Sequence, residues 1–185
     1  MDERIIYLAL AVLAFAVALN LKLTIAVLQA GRRERNAPSP LLVGEPVPPV
    51  SGRAVGQRGL RWPVTDGQPV ALLFLSSRCP KCAGKLAELE RLLPAAQRAG
   101  LAVWLISHEP AWRLRRFLGG RFPLSRVLRL NRRDYQLLNA TAASPAYLFV
   151  NDAGVLEATG LIGDDNWLAL RAQLSDAPAM EDQAA

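Results

Sequence analysis

The sequence predicts an α/β domain, a central mixed sheet with helices on both faces, behind one N-terminal transmembrane helix. Three observations carry that prediction. The chain opens on a long, uncharged apolar stretch. The remainder alternates apolar strand-like runs with helical stripes. Its only two cysteines, in "SSRCPKCAGKLAE" (Ser76 to Glu88), fall where one of those strands gives way to a helix.

From Ile5 to Leu19 there is no charge, and the apolar pattern continues past Asn20, Lys22 and Thr24 to Leu28. That is about 24 residues, against the roughly 20 a helix needs to cross the hydrocarbon core. A cleavable signal would have a shorter apolar region, basic residues before it and a small-residue cleavage site after it. Here the flanks are "MDER" and "QAGRRER", so residues 1–35 read as an uncleaved anchor. Residues 36–58 are rich in Pro, Gly and Ser and lack periodicity, which reads as a tether. Residues 59–175 are the right size for one compact domain. The stretch 176–185, "DAPAMEDQAA", is small, polar and acidic, a disordered tail.

Within the domain, "GLRWPVTDGQPVALLFLS" predicts a hairpin: a short strand, a turn at Asp66-Gly67, and a buried strand from Val70 to Ser76. Leu86, Leu89, Leu92 and Leu93 form a helical stripe over Cys79 to Ala99, with Pro94 expected to kink that helix or start a new segment. "LAVWLIS" is a second buried strand. "PAWRLRRFLG" is a helix with proline at its first turn and glycine after its end. "RVLRL" predicts a short strand, "RRDYQLLNA" a helix, and "PAYLFVN", "DAG" and "VLEATGLI" a hairpin. "DDNWLALRAQL" closes the domain as a helix capped by Asp164 or Asp165. Strand and helix in this alternation make a sheet covered on both faces.

The charge is uneven. The chain carries 19 Arg and 3 Lys for a net charge of +6, and eight of the arginines lie between Trp112 and Arg133. Such a run is either a solvated face or a patch for acidic partners or lipid headgroups. Nucleic-acid binding is not indicated, since there is no recognisable module beside the apolar anchor. Trp62, Trp104, Trp112 and Trp167 read as core or rim aromatics, with Trp62 beside the cysteines if the first hairpin packs there.

The cysteines carry the chemistry. Cys79 falls in the loop after a central strand and Cys82 inside the first helical turn, at the end of the sheet where α/β proteins build their sites. A sulfur there meets unpaired N–H groups and the positive end of the helix dipole, which lower its pKa. Arg78 and Lys81 add positive charge, and Pro80 fixes φ in the first turn. One thiolate is then a ready nucleophile, with a second thiol close enough to resolve a mixed disulfide. The alternatives are weaker. Two cysteines supply half of a tetrahedral zinc site. His108, the chain's one histidine, could join them in a copper site, the runner-up function of a metal-handling or assembly factor. A structural disulfide across so short a loop would stabilise little. No cofactor or metal is implied.

"FLSSRCPKC" after a buried strand resembles the active-site segment of the thioredoxin fold, and "ASPAYLFVNDAGVLEATG" resembles that family's cis-proline segment and hairpin. The resemblance implies that Ser144 and Pro145 face the dithiol and dock the partner chain. The long interval between Cys82 and Pro145, the "VGEPVPPV" entry and the N-terminal helix resemble the membrane-anchored, extracytoplasmic branch. That branch includes cytochrome c maturation reductases and methylamine dehydrogenase maturation proteins. It implies a thiol–disulfide oxidoreductase acting on protein substrates with cysteine pairs, a monomer with a membrane or periplasmic electron donor or acceptor. It also implies an inner-membrane, single-pass protein, held in the lipid bilayer by its N-terminal helix, with the catalytic domain in the periplasm. Counting charges gives the opposite orientation, because Arg32, Arg33 and Arg35 outnumber Arg4 and the amino terminus. Two cysteines without spares suit the oxidising side, and the periplasmic reading is the one adopted. The sequence departs from the family at Leu73, where thioredoxin has a buried acid. The acids nearest the cysteines in sequence, Glu88 and Glu90, fall on the solvated side of the predicted helix. A peroxidase would have threonine where Ser76 stands.

Overall fold

The run Val70–Phe74 is apolar at every position and buried at every position. Such a strand needs neighbours along both edges and helices over both faces, and the computed structural model supplies them. It describes residues 3–35, 39–55, 60–62 and 67–176. The chain divides into two units, Met1–Pro38 and Ser39–Ala185.

The first unit is one helix, α1 (Glu3–Arg35). Its stretch Ile6–Gln29 has 24 residues at a mean hydropathy of 2.2, long and apolar enough to cross a membrane.

The second unit is built on seven strands. They are β1 (Val50–Ala54), β2 (Leu60–Trp62), β3 (Val70–Phe74), β4 (Ala102–Ser107), β5 (Val127–Leu130), β6 (Ala146–Val150) and β7 (Leu156–Leu161). Their spatial order is β2-β1-β5-β4-β3-β6-β7. β3, β4 and β5 run parallel, with Phe74 opposite Ile106 and Ser107 opposite Arg129. β6 lies antiparallel to β3, β7 to β6, β1 to β5 and β2 to β1. The helices are α2 (Pro80–Arg98), α3 (Ala111–Leu118), α4 (Arg132–Leu138) and α5 (Asp165–Asp176). Because successive residues of a strand face opposite ways, β3 feeds two cores. Ala71 and Leu73 pack with Leu86 and Leu89 of α2, Leu114 of α3 and Trp167 of α5. Leu72 and Phe74 pack with Tyr135 and Leu138 of α4. Gly119 ends α3 at φ 54°, the left-handed conformation that a glycine adopts without penalty.

Four expectations change. Part of the stretch read as a tether belongs to the sheet: residues 50–54 are β1, and Val47 and Val50 are buried. Ahead of them, Gly44 and Val47 donate backbone hydrogen bonds to Leu156 and Gly154. Proline-rich composition did not prevent this, since Pro46, Pro48 and Pro49 precede the strand. Second, the first hairpin does not form. β2 pairs with β1 at the sheet's outer edge, because β4 and β6 occupy both edges of β3. Trp62 therefore lies on the edge strand, and its side chain lies outside the described residues. Third, no new segment starts at Pro94: α2 runs from Pro80 to Arg98 with that exposed proline inside it. Fourth, Glu88 is not on a solvated face: it is half-buried and bonded to α5. The predicted tail from residue 177 onward lies outside the described residues.

Candidate active site

β3 ends at Phe74, and five residues later Cys79 caps the N-terminus of α2. Its φ/ψ is extended, and its Sγ accepts a hydrogen bond from the Cys82 backbone N–H at 3.3 Å. The Cys79 thiol also donates to the carbonyl of Ser144 at 3.5 Å. Pro80 occupies the first helical position, where its missing N–H costs nothing, and Arg78 and Lys81 are exposed on either side. Cys82, one turn in, is 0% exposed against Leu73 and Leu86. Burial pushes its thiol up to about 12, assisted by its hydrogen bond with Cys79. Both cysteines are free thiols, one at the surface and one sealed beneath it.

Ser144 and Pro145 reach the same place from the far end of the fold. The Ser144-Pro145 peptide bond is cis, as the resemblance implied. Ser144 is half-buried and Pro145 buried. α4 holds the loop before them. Asn139 donates through Nδ2 to the carbonyl of Ala143 at 2.9 Å and accepts from the Ala143 N–H at 3.0 Å. The same Nδ2 donates to the Tyr135 hydroxyl at 3.2 Å. Burial pushes Tyr135 up, against hydrogen bonds from Asn139 and Ser144. The predicted dithiol and docking residues thus belong to two converging segments, 78–82 at the start of α2 and 144–145 before β6.

One residue went unread in the sequence. Glu109, two residues beyond β4, is only 6% exposed. Its carboxylate accepts from the Ser76 hydroxyl at 2.9 Å, the Ser77 N–H at 3.0 Å and the Ser77 hydroxyl. Ser76 in turn accepts from the N–H groups of Arg78 and Cys79, through its hydroxyl and carbonyl respectively. Glu109 thus reaches from the loop after β4 to the segment ahead of Cys79. Burial pushes Glu109 up, but the hydrogen bonds from Ser77 and Ser76 and the charge of Arg113 outweigh it. The carboxyl is held below its ordinary range. The signal was available in principle: β3 and β4 are adjacent parallel strands, so the residues just past their ends must meet. What the sequence lacked was the register.

His108 does not complete a metal site. It is exposed, edge-on to the Tyr135 ring at 4.6 Å, and among the described residues no three His, Cys, Asp or Glu side chains are grouped to hold an ion.

No protein-family model and no curated protein matches the sequence. Solved structures do resemble it. The thioredoxin domain of a thiol-disulfide oxidoreductase from Bacteroides vulgatus superposes with a TM-score of 0.61 at 17% identity, covering 72% of this chain and 99% of that one. A thiol:disulfide interchange protein from Bacteroides sp. gives 0.61 at 18%, covering 78% and 96%. A thioredoxin family thiol:disulfide interchange protein from Chlorobium tepidum gives 0.58 at 12%, covering 74% and 97%. At these identities the likeness is one of architecture, and it agrees with the paired cysteines and the cis proline: the chain has the thioredoxin fold.

Proposed function

We propose that this chain is a membrane-anchored thiol–disulfide oxidoreductase acting on protein dithiols and disulfides through Cys79 and Cys82. One observation carries the reading: a half-exposed sulfur at a helix N-terminus, set against the carbonyl before a cis proline and backed by a second, buried sulfur. In the reducing direction, the Cys79 thiolate attacks one sulfur of the partner's disulfide and the other leaves as a thiolate. Cys82 then attacks Cys79, its proton passing to the partner thiolate released in the first step. The second partner sulfur leaves as a thiolate and takes from water the proton that Cys79 had given up, and the protein retains a Cys79–Cys82 disulfide. The partner gains two electrons and two protons, and the reverse sequence oxidises it. Ser144 and Pro145 are the docking edge for the partner chain. Arg78 and Lys81 set positive charge on either side of Cys79 at the N-terminus of α2, while Pro80 stiffens the loop. Glu109 is a positioning residue that fixes Ser76 and Ser77.

The N-terminal helix anchors the protein in the inner membrane, and the dithiol domain faces the periplasm. The resemblance of the "VGEPVPPV" entry, the N-terminal helix and the long Cys82–Pro145 interval to the extracytoplasmic branch supports that orientation. A C-terminal alkaline phosphatase fusion, active only after export, should be active; an inactive fusion at normal abundance puts the domain inside. The chemistry is tested by dithiothreitol-driven reduction of a disulfide-bonded protein by the full chain in non-ionic detergent. Cys79→Ser should abolish turnover, and Cys82→Ser should stall as a mixed disulfide through Cys79. Turnover that survives Cys79→Ser refutes the reading.

A further inference from the structure

The parallel strands sort the arginine-rich stretch into two ends of the molecule. β3, β4 and β5 all leave the sheet at the end that carries the dithiol. Their exits deliver Arg78 and Lys81, then Arg113 in the first turn of α3, then Arg129 at the end of β5 and Arg132 and Arg133 at the start of α4. Arg121 and Arg126 follow α3 and precede β5, so they belong to the opposite end.

The acids at the dithiol end on this side are already committed. Glu109 is turned inward to Ser76 and Ser77, and Asp134 binds the Asn131 amide and the Ser51 N–H. Among the described residues the salt bridges all belong to Glu88 and none of these cations is paired in one; Arg113 acts on the inward-turned Glu109 only at longer range. Lys81, Arg113, Arg132 and Arg133 also stand in first helical turns, where the dipole disfavours a cation. Helix stability does not account for them there. Beside them Trp112 is 62% exposed, with the Arg113 guanidinium 5.1 Å from its ring centre. An exposed tryptophan among arginines has the composition of a binding surface.

We infer that this face, from Arg78 and Lys81 across Trp112 and Arg113 to Arg132 and Arg133, docks an acidic segment of the partner protein next to its reactive cysteine. The inference rests on the oxidoreductase reading and narrows its substrate class to cysteine pairs flanked by Asp and Glu. The opposite flank fits the same polarity. There the loop into α5 carries the exposed Asp165, Asp164 being engaged with Trp167, Leu161 and Tyr147, and the Ile162 N–H bonds the carbonyl of Pro145. The acidic run of the partner therefore lies on the α3 and α4 side.

The test uses the full chain in non-ionic detergent, with dithiothreitol as reductant. Three synthetic peptides each carry one intramolecular disulfide, flanked by acidic, neutral or basic residues. The acidic peptide should have a KM about tenfold below the neutral one at low ionic strength, with the gap closing by 0.5 M salt. Arg132→Gln with Arg133→Gln should raise the acidic peptide's KM about threefold or more and leave reduction of uncharged 2-hydroxyethyl disulfide unchanged. Arg121→Gln with Arg126→Gln, at the other end, should change neither. Equal KM values for the three peptides overturn the inference. So does a wild-type enzyme that ignores peptide charge while vesicles containing phosphatidylglycerol sequester it and the 132/133 variant escapes them. Failure to reduce 2-hydroxyethyl disulfide would instead refute the oxidoreductase reading itself.

Discussion

Cys79 and Cys82 are separated by one helical turn, yet their surroundings make them chemically unlike. Cys79 is half-exposed at the N-cap, whereas Cys82 is sealed in the core and pushed up to about 12 by burial. Iodoacetamide at pH 7 should therefore modify Cys79 and leave Cys82 unmodified, since the thiolate is the reactive form; mass spectrometry showing Cys82 modified first would reverse the assignment. The sequence foretold the difference in exposure, because Cys79 stands at the helix start and Cys82 a turn inside; the core that seals Cys82 comes from the fold. Glu109 was invisible for the opposite reason, its partners Ser76 and Ser77 lying 33 and 32 residues away. Glu109→Gln should lower stability by about 1–3 kcal/mol, because an amide turns an N–H group toward donors that need an acceptor. Since the folded carboxyl is held below its ordinary 4.5, its contribution is complete above that pH and declines as the pH falls beneath it. Urea unfolding of both proteins at pH 7 and pH 4 checks this: the gap should be narrower at pH 4, and a constant gap would contradict it.

At the scale of elements, the strands and helices after residue 67 were legible because each has its own periodicity and punctuation. Partners were less so. β1 was hidden in a proline-rich stretch, and its alternating burial shows only once β5 is beside it. α2 and α5 are tied by Glu88, which accepts from Lys85 at 2.8 Å, from the Trp167 indole at 2.9 Å and from Arg171 at 3.0 Å. Burial pushes Glu88 up, but these donors together draw it down to about 2. Glu88→Gln should cost about 1–3 kcal/mol at pH 7. In the wild type this support should be lost between roughly pH 4.5 and 2, as the folded carboxyl is protonated. Thermal melts across that range test it, and equal melting temperatures at pH 7 would rule the tie out. α5 is further held by Asp164, which accepts from the N–H groups of Trp167 and Leu161 and from the Tyr147 hydroxyl. A Cβ on Gly160 would stand 2.0 Å from that carboxylate. Gly160→Ala should therefore displace the cap and cost about 1–3 kcal/mol in denaturant unfolding; full stability would show the cap is dispensable.

Across the whole molecule, the apolar helix and the dithiol domain fall into separate units. A chain starting at Ser39 should fold, stay in solution and retain its dithiol chemistry, whereas one starting at residue 59 should not, because it lacks β1. Activity in the shorter chain would show that β1 is not needed. The architecture was readable from the order of elements, and the place of the site from the strand–helix join. The sheet's outer strands and the buried acid were not, because both depend on which strands become neighbours. The central claim is that Cys79 and Cys82 form a two-electron redox couple. Equilibrating the full chain in mixtures of reduced and oxidised dithiothreitol, then trapping thiols with a maleimide, tests it most directly by mass. Two populations should appear, with both thiols free or neither, interconverting along a two-electron Nernst curve. A protein that keeps both thiols free across the whole range, or loses them one at a time, would contradict it.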